Sequence, residues 1–232
     1  MPEIVVIIPA LNEERSISKV LADIPRDIVN EVIVVDNNSS DGTAEVALNF
    51  GASVIHERRK GYGFACLKGI EYIVSQPRKA DIVVFLDADY SDHPEEMTDL
   101  TRPIIQQDYD IVIGSRFLGK REPDAMPWHQ VLGNRLATSL INTLYKVHYT
   151  DLGPFRAIKF EKLLNLKMKE KKYGWTTEMQ AKAAKQKLRY VEVPVTYRAR
   201  IGTSKISGTI RGTLCAGYSI LTTLLKNRWT HE

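Results

Sequence analysis

The chain has 232 residues, 44% of them hydrophobic, with two cysteines and a formal net charge of +4. That length and apolar content suit one domain with a full core. Two cysteines in such a chain exclude a disulfide framework, so a reducing, cytoplasmic setting is expected.

The first element is the apolar run IVVIIP at 4–9. No basic region precedes it and it leads straight into polar NEER, so it reads as a strand rather than a secretion leader. Similar runs follow: EVIVVD at 31–36, SVIHE at 53–57, DIVVFLD at 81–87 and DIVIGS at 110–115. Val and Ile dominate them with little alternation, and helix-like segments lie between them. That pattern predicts strands buried on both faces of a mostly parallel sheet, with helices on both sides. Ligands of such sheets bind beyond the carboxyl ends of the strands. The residues to read are therefore Pro9–Glu13, Asp36–Asp41, Glu57–Gly63, Asp87–Asp92 and Ser115–Arg116.

After residue 120 the pattern changes. PDAMPWHQ reads as a loop, VLGNRLATSLINTLYKV as a helix and DLGPFRAI as a turn and strand. YGWTTEMQAKAAKQ reads as a helix and LRYVEVPVTY as a strand. RARIGTSKISG is a basic, glycine-containing loop, and TIRGTLCAGYSILTTLLKNRW reads as a closing amphipathic helix. Its 13 uncharged residues, 213–225, span roughly 20 Å as a helix, too short for a bilayer core of about 30 Å. No run of about 18 apolar residues occurs, so no transmembrane helix is expected.

Charge is unevenly distributed. Residues 1–150 carry 15 Lys and Arg against 22 Asp and Glu; residues 151–232 carry 17 against 6. Most of the lysines read as solvated helix faces. The surplus nevertheless suits an anionic partner, either a phosphate group or an anionic membrane surface. Zinc spacing, RNA-binding signatures and basic helices with interleaved aromatics are missing, so nucleic acid is not expected.

Asp87 and Asp89 in FLDADYSDHPEE follow a buried strand. Two carboxylates there are costly unless a cation or donors neutralise them. Mg²⁺ or Mn²⁺ prefers oxygen ligands and bridges carboxylates to a diphosphate. A second Asp-x-Asp, Asp108 and Asp110, precedes its strand and reads as a loop. Asp92 with Glu95 reads as a helix N-cap with a capping box. Asp36 at its strand tip can accept hydrogen bonds from a nucleobase. Ser39, Ser40 and Asp41-Gly42 read as a turn into a helix. Gly61 and Gly63 open a helix, without the third glycine of a dinucleotide fingerprint. Trp128 and Trp175 read as core first and as lining of the sugar or lipid site second, and the five histidines show no zinc spacing.

Taken together, PALNEE, VVDNNSSDGT, GYGFA, FLDADYSDHPEE and IVIGSRF resemble an inverting family-2 glycosyltransferase with a GT-A fold. DLGPFRAI, YGWTTEM, YVEVPVTY and GTSK, in that order, resemble the polyprenyl-phosphate glycosyltransferases, of which dolichyl-phosphate mannosyltransferase is the best-known type. The resemblance runs from Ile4 to about Gly208. It implies nucleotide-sugar contacts at Pro9, Ala10, Glu13 and Asp36, to which the strand-tip positions add Asn12 and Gly61 as candidates, and metal and sugar-nucleotide contacts at Asp87, Ala88 and Asp89. It implies phosphate contacts at Arg116, Arg135, Ser204 and Lys205. Where many relatives carry two adjacent aspartates, this chain has Asp36-Asn37. The arginine six residues before the lysine falls on Ala199, flanked by Arg198 and Arg200. Donor base and sugar, GDP-mannose or UDP-glucose in type, stay open.

The chemistry separates two acceptors. A sugar hydroxyl needs a general base, for which Glu178 is the candidate with Asp92 behind it. A monophosphate is already largely ionised at neutral pH, with a second pKa of about 6. It needs cations instead, and Arg116, Arg135, Arg156, Arg198, Arg200 and Lys205 are available. The expected protein is a GT-A domain at 1–208 with an amphipathic helix at 209–232. It transfers a hexose from a nucleoside-diphosphate sugar to a polyprenyl or dolichyl phosphate, with Asp89 and Arg116 at the chemistry. The alternatives are a soluble transferase acting on a hydroxyl through Glu178, and a nucleotide-sugar-binding protein without turnover. The last helix is expected to pack on the domain, on a second subunit as a homo-oligomer, or on the cytoplasmic face of a membrane.

Overall fold

The structure, a computed structural model, describes residues 1–202. Ser204, Lys205 and the expected helix at 209–232 lie outside the described residues.

Seven strands form one sheet: β1 (Ile4–Ala10), β2 (Glu31–Asp36), β3 (Ser53–His56), β4 (Ile82–Phe85), β5 (Ile111–Ser115), β6 (Arg156–Lys159) and β7 (Tyr190–Pro194). Seven helices connect them: α1 (Glu14–Asp23), α2 (Thr43–Asn49), α3 (Tyr62–Ser75), α4 (Met97–Gln107), α5 (Trp128–Tyr145), α6 (Phe160–Asn165) and α7 (Trp175–Lys185). Strand order is β3-β2-β1-β4-β6-β5-β7. Strands β1 to β4 pair in parallel and β7 pairs in parallel with β5. Strand β6 runs against both β4 and β5, a reversal that DLGPFRAI did not announce.

The uninterrupted Val and Ile runs are explained by the two cores. Ile4, Val6 and Ile8 pack with Ile17 and Leu21 of α1 and Leu100 of α4. Val5 and Ile7 pack on the other face with Cys66 of α3 and Met179 and Trp175 of α7. Successive strand residues point to opposite faces, so a strand covered on both sides must be apolar at every position. Each fully buried side chain of this kind contributes about 1.5–3 kcal/mol. The carboxyl ends of β1, β2, β3, β4 and β5 share one sheet edge, as expected, and the motif loops gather there. Among the described residues, no helix is long and apolar enough to cross a membrane.

Candidate active site

Strand β4 ends at Phe85, so Asp87 and Asp89 lie just past its tip. The Asp89 carboxylate is buried. Its Oδ1 accepts from the Ser91 amide at 2.9 Å and the Ser91 hydroxyl at 2.6 Å. Its Oδ2 faces Arg200 Nη2 at 3.0 Å, and the same nitrogen lies 3.5 Å from Glu13 Oε1. Asp87 Oδ1 is buried with no hydrogen-bond partner among the described residues. Burial and the neighbouring Asp89 push the Asp87 carboxyl up to about 7. These two groups are held in a place that favours a bound cation, and the Arg200 guanidinium stands there as one. No three His, Cys, Asp or Glu side chains gather into a metal cage among the described residues. An Mg²⁺ or Mn²⁺ ion would fit Asp87 and Asp89 with its remaining ligands from a diphosphate and water, as Mg²⁺ sites commonly arrange.

The nucleotide-side loops are tied to one another. The Asn12 amide donates to Ser39 Oγ at 3.0 Å, and Asn12 Oδ1 accepts from Ser40 N at 2.7 Å. Glu13 N donates to Thr43 Oγ1, and Glu13 Oε2 accepts from Ser16 Oγ. Asp36 is buried, accepting from Ser39 N at 3.2 Å and lying 3.1 Å from His56 Nδ1. Asp41 holds Thr43 N in the turn into α2, as the turn reading predicts, while the N-cap position itself is Gly42. Pro9 and Ala10 end β1 beside Val35 and Asp36. Ala88 is buried between the two aspartates.

Asn37 explains a departure that sequence alone left open. Its amide nitrogen donates to the carbonyls of Glu57 at 3.1 Å and Arg59 at 2.8 Å, while its oxygen accepts from Gly61 N at 2.7 Å. An aspartate there could not make the two donations. The glycines of the next loop serve a close approach. A Cβ on Gly61, whose φ is 152°, would stand 2.3 Å from the Lys171 carbonyl oxygen, and one on Gly63 would stand 2.1 Å from that of Glu170. The first amides of α3, on Gly63 and Phe64, donate to Lys172 and Lys171. They are not left for a phosphate, so Gly61 is a packing residue in this structure.

Several other expectations are corrected. Glu178 is buried; its oxygens accept from the amides of Lys169 and Glu170 and pair with Lys182 Nζ at 2.9 Å. It anchors the start of the 169–172 loop, and its oxygens are taken up by these partners. Asp92 does not cap a helix: His93 precedes the 3₁₀ turn Pro94–Glu96, with no side-chain cap. The Asp92 carboxyl is buried with neither oxygen hydrogen-bonded among the described residues. Burial, then Asp87 and Asp89, push it well above the usual carboxylate range. Arg198 is a clamp, donating to the carbonyls of Tyr90 at 2.7 Å and Asp92 at 3.0 Å. Arg156 is wholly buried, with the Gly153 and Thr176 carbonyls as acceptors, and burial pulls it down to about 10. Trp175 is in the core, but Trp128 is 76% exposed.

Arg116 keeps its expected place at the end of β5, held there by a partner the sequence reading did not assign. Asp151 accepts from the Arg116 amide at 2.8 Å, from Nε at 2.8 Å and from Nη2 at 2.7 Å. Burial opposes the charge, but Asp151 outweighs it and pushes the guanidinium up. Tyr197 stacks over Arg116, its ring 5.0 Å from the guanidinium carbon. Asp151 belongs to the DLGPFR motif, so the signal was present without a role. Arg135 sits apart, in a groove on α5. Asp108 and Asp110 lie before β5 and pair with Lys159, as loop residues should.

Comparison with known proteins agrees with this architecture. The sequence pattern described as glycosyl transferase family 2 matches residues 5–166. The chain is 36% identical to an uncharacterised glycosyltransferase of Mycobacterium bovis, over 92% of this chain and 94% of the relative. It is 34% identical to a dolichyl-phosphate hexose transferase of Haloferax volcanii, over 97% of this chain and 96% of the relative. A crystal structure of glucosyl-3-phosphoglycerate synthase from Mycobacterium tuberculosis, with Mn²⁺, uridine diphosphate and glucosyl-3-phosphoglycerate, superposes with a TM-score of 0.77 at 22% identity, covering 100% of this chain and 81% of that one. That likeness establishes the fold, GT-A.

Proposed function

The chain belongs to glycosyl transferase family 2, and from that premise we propose that it moves a hexose from a nucleoside-diphosphate sugar to a polyprenyl phosphate, inverting the anomeric centre. The observation that carries the choice of acceptor is the commitment of the leading candidate base, Glu178. Glu178 is committed to Lys182 and two loop amides. Asp92 is buried, and neither of its carboxylate oxygens makes a hydrogen bond among the described residues. A hydroxyl acceptor requires a proton acceptor beside it; an ionised phosphate does not. The dolichyl-phosphate hexose transferase of Haloferax volcanii, similar along nearly its full length, supports the same acceptor class.

In this reading Asp36, Glu13 and Asn12 orient the nucleoside, and Asp89 with Asp87 hold a divalent ion. That ion supplies Lewis-acid stabilisation to the departing diphosphate. Arg200 and Arg116 face the acidic tip from the acceptor side and offset the repulsion between two phosphate-bearing substrates. The protein works at the cytoplasmic face of a membrane, without a spanning helix among its described residues.

The test is incubation with radiolabelled nucleotide sugars, polyprenyl phosphate and Mg²⁺ or Mn²⁺, followed by organic extraction. Label should enter the organic phase for one donor and disappear with EDTA. Transfer of label only to a water-soluble sugar would overturn the reading.

A further inference from the structure

Helix α5 carries apolar side chains on its outer face as well as its inner one. Its 18 residues contain no acidic side chain. Asn134, Ala137, Thr138 and Ile141 face the core, while Trp128, Leu132 and Leu136 are 76%, 49% and 64% exposed. At intervals of four these three form one stripe on the solvent side. A solvated helix face would carry charge there. Leu118, in the loop after β5, is a further exposed apolar side chain at 52%. Along the helix runs a groove of about 470 Å³ whose lining includes Arg135, Lys146 and His148 with Ser139 and Thr143, and no acidic residue. The segment before the helix is mixed in charge, with exposed Lys120 and Arg121 beside exposed Glu122 and Asp124, so the cationic character lies in the groove itself.

We propose that the outer face of α5 and its basic groove form the docking surface for an anionic lipid bilayer. The tryptophan suits the headgroup boundary, the leucines suit the acyl edge, and the cations suit anionic headgroups. The charge pattern favours a bilayer over a second protein surface, because the apolar stripe of the helix lies beside a groove whose lining holds Arg135, Lys146 and His148 and no acidic group. The proposal rests on the polyprenyl-phosphate reading for its purpose: a lipid-borne phosphate is reached only at a membrane. It assigns to α5 the membrane contact that the sequence reading named as one of three alternatives for residues 209–232.

The test is co-sedimentation of the full chain with phosphatidylcholine vesicles, with and without phosphatidylglycerol. Wild type should bind more with phosphatidylglycerol and less with salt. A Trp128→Ser, Leu132→Ser, Leu136→Ser variant should lose about tenfold or more of its partition. These side chains are already exposed, so its melting temperature should hold. Brominated lipid should quench wild type more than Trp128→Phe. Undiminished vesicle binding by the triple variant would overturn the proposal. So would binding abolished only by deleting residues 209–232, or a wild-type dimer that the triple variant dissociates. Turnover separates the two readings. With a short, water-soluble prenyl phosphate the triple variant should match wild type, while with vesicle-borne acceptor it should fall. If no prenyl phosphate is used but vesicle binding still depends on the stripe, the acceptor reading fails and the docking surface stands.

Discussion

Arg200 Nη2 lies 3.0 Å from Asp89 Oδ2 and 3.5 Å from Glu13 Oε1, so one guanidinium joins the loop after β4 to the loop after β1. Its backbone neighbour is fixed as well, since Ile201 N donates to the Asp89 carbonyl at 3.0 Å. A divalent ion approaching Asp89 must share that carboxylate with Arg200 or displace it. Replacing Arg200 with Gln should therefore tighten Mn²⁺ binding severalfold in the absence of donor, measured by titration calorimetry, while weakening use of the phosphate acceptor. Weaker Mn²⁺ binding by the variant would show that Arg200 organises the site instead of competing for it.

Asp89→Ala should lower turnover by about a hundredfold to a thousandfold, the size expected when Lewis-acid stabilisation worth several kcal/mol is lost. Asp108→Ala is the control. Asp108 is exposed and paired with surface Lys159 and Arg189, and such pairs are worth about 0–1 kcal/mol. Its activity should match wild type. Equal losses in the two variants would remove the distinction between the two Asp-x-Asp pairs.

Glu178→Gln separates a structural carboxylate from a base. The change leaves Lys182 buried without its partner, and breaking a buried pair costs about 3–5 kcal/mol. The melting temperature should fall and the 169–172 loop should loosen, while the pH profile of kcat/KM for the remaining activity keeps its shape. Disappearance of an acid limb in that profile, with the melting temperature unchanged, would restore Glu178 as a base.

Glu57 offers a pH test away from the acidic tip. Its carboxylate accepts from Arg59 Nε at 2.9 Å and the Arg59 amide at 2.8 Å, and the Arg59 side chain, against the opposing effect of burial, holds it down to about 2 from 4.5. A depressed folded-state value means the unfolded chain binds the proton first as pH falls. The stabilisation is present above about pH 4.5 and is lost between there and about pH 2. Glu57→Gln should destabilise the protein at neutral pH and flatten this part of the acid limb in urea melts. Parallel curves for variant and wild type below pH 4.5 would count against the ion pair.

Much of this molecule could be read along the chain. A strand covered on both faces must be apolar throughout, so the Val and Ile runs announce a two-sided sheet, and the polar residues after each run announce the ligand edge. Asp87, Asp89, Asp36 and Glu13 are found at that edge because a strand's end is a local property of sequence. The antiparallel β6 was not legible, because pairing direction depends on which strands a short segment inserts between. Side-chain roles were not legible either. Arg116, Arg156, Arg198 and Arg200 are alike as letters. Yet they are respectively a guanidinium held by Asp151, a buried brace on carbonyls, a clamp on the 90–92 backbone and the cation at Asp89. Glu178 looked like a proton acceptor until its burial and partners were known, and Asp92 like a helix cap until His93 was found ahead of the 3₁₀ turn. The strand tips follow from periodicity along one chain. The duties of charged groups follow from desolvation and from partners dozens of residues away, which only the folded chain brings within 3 Å of one another.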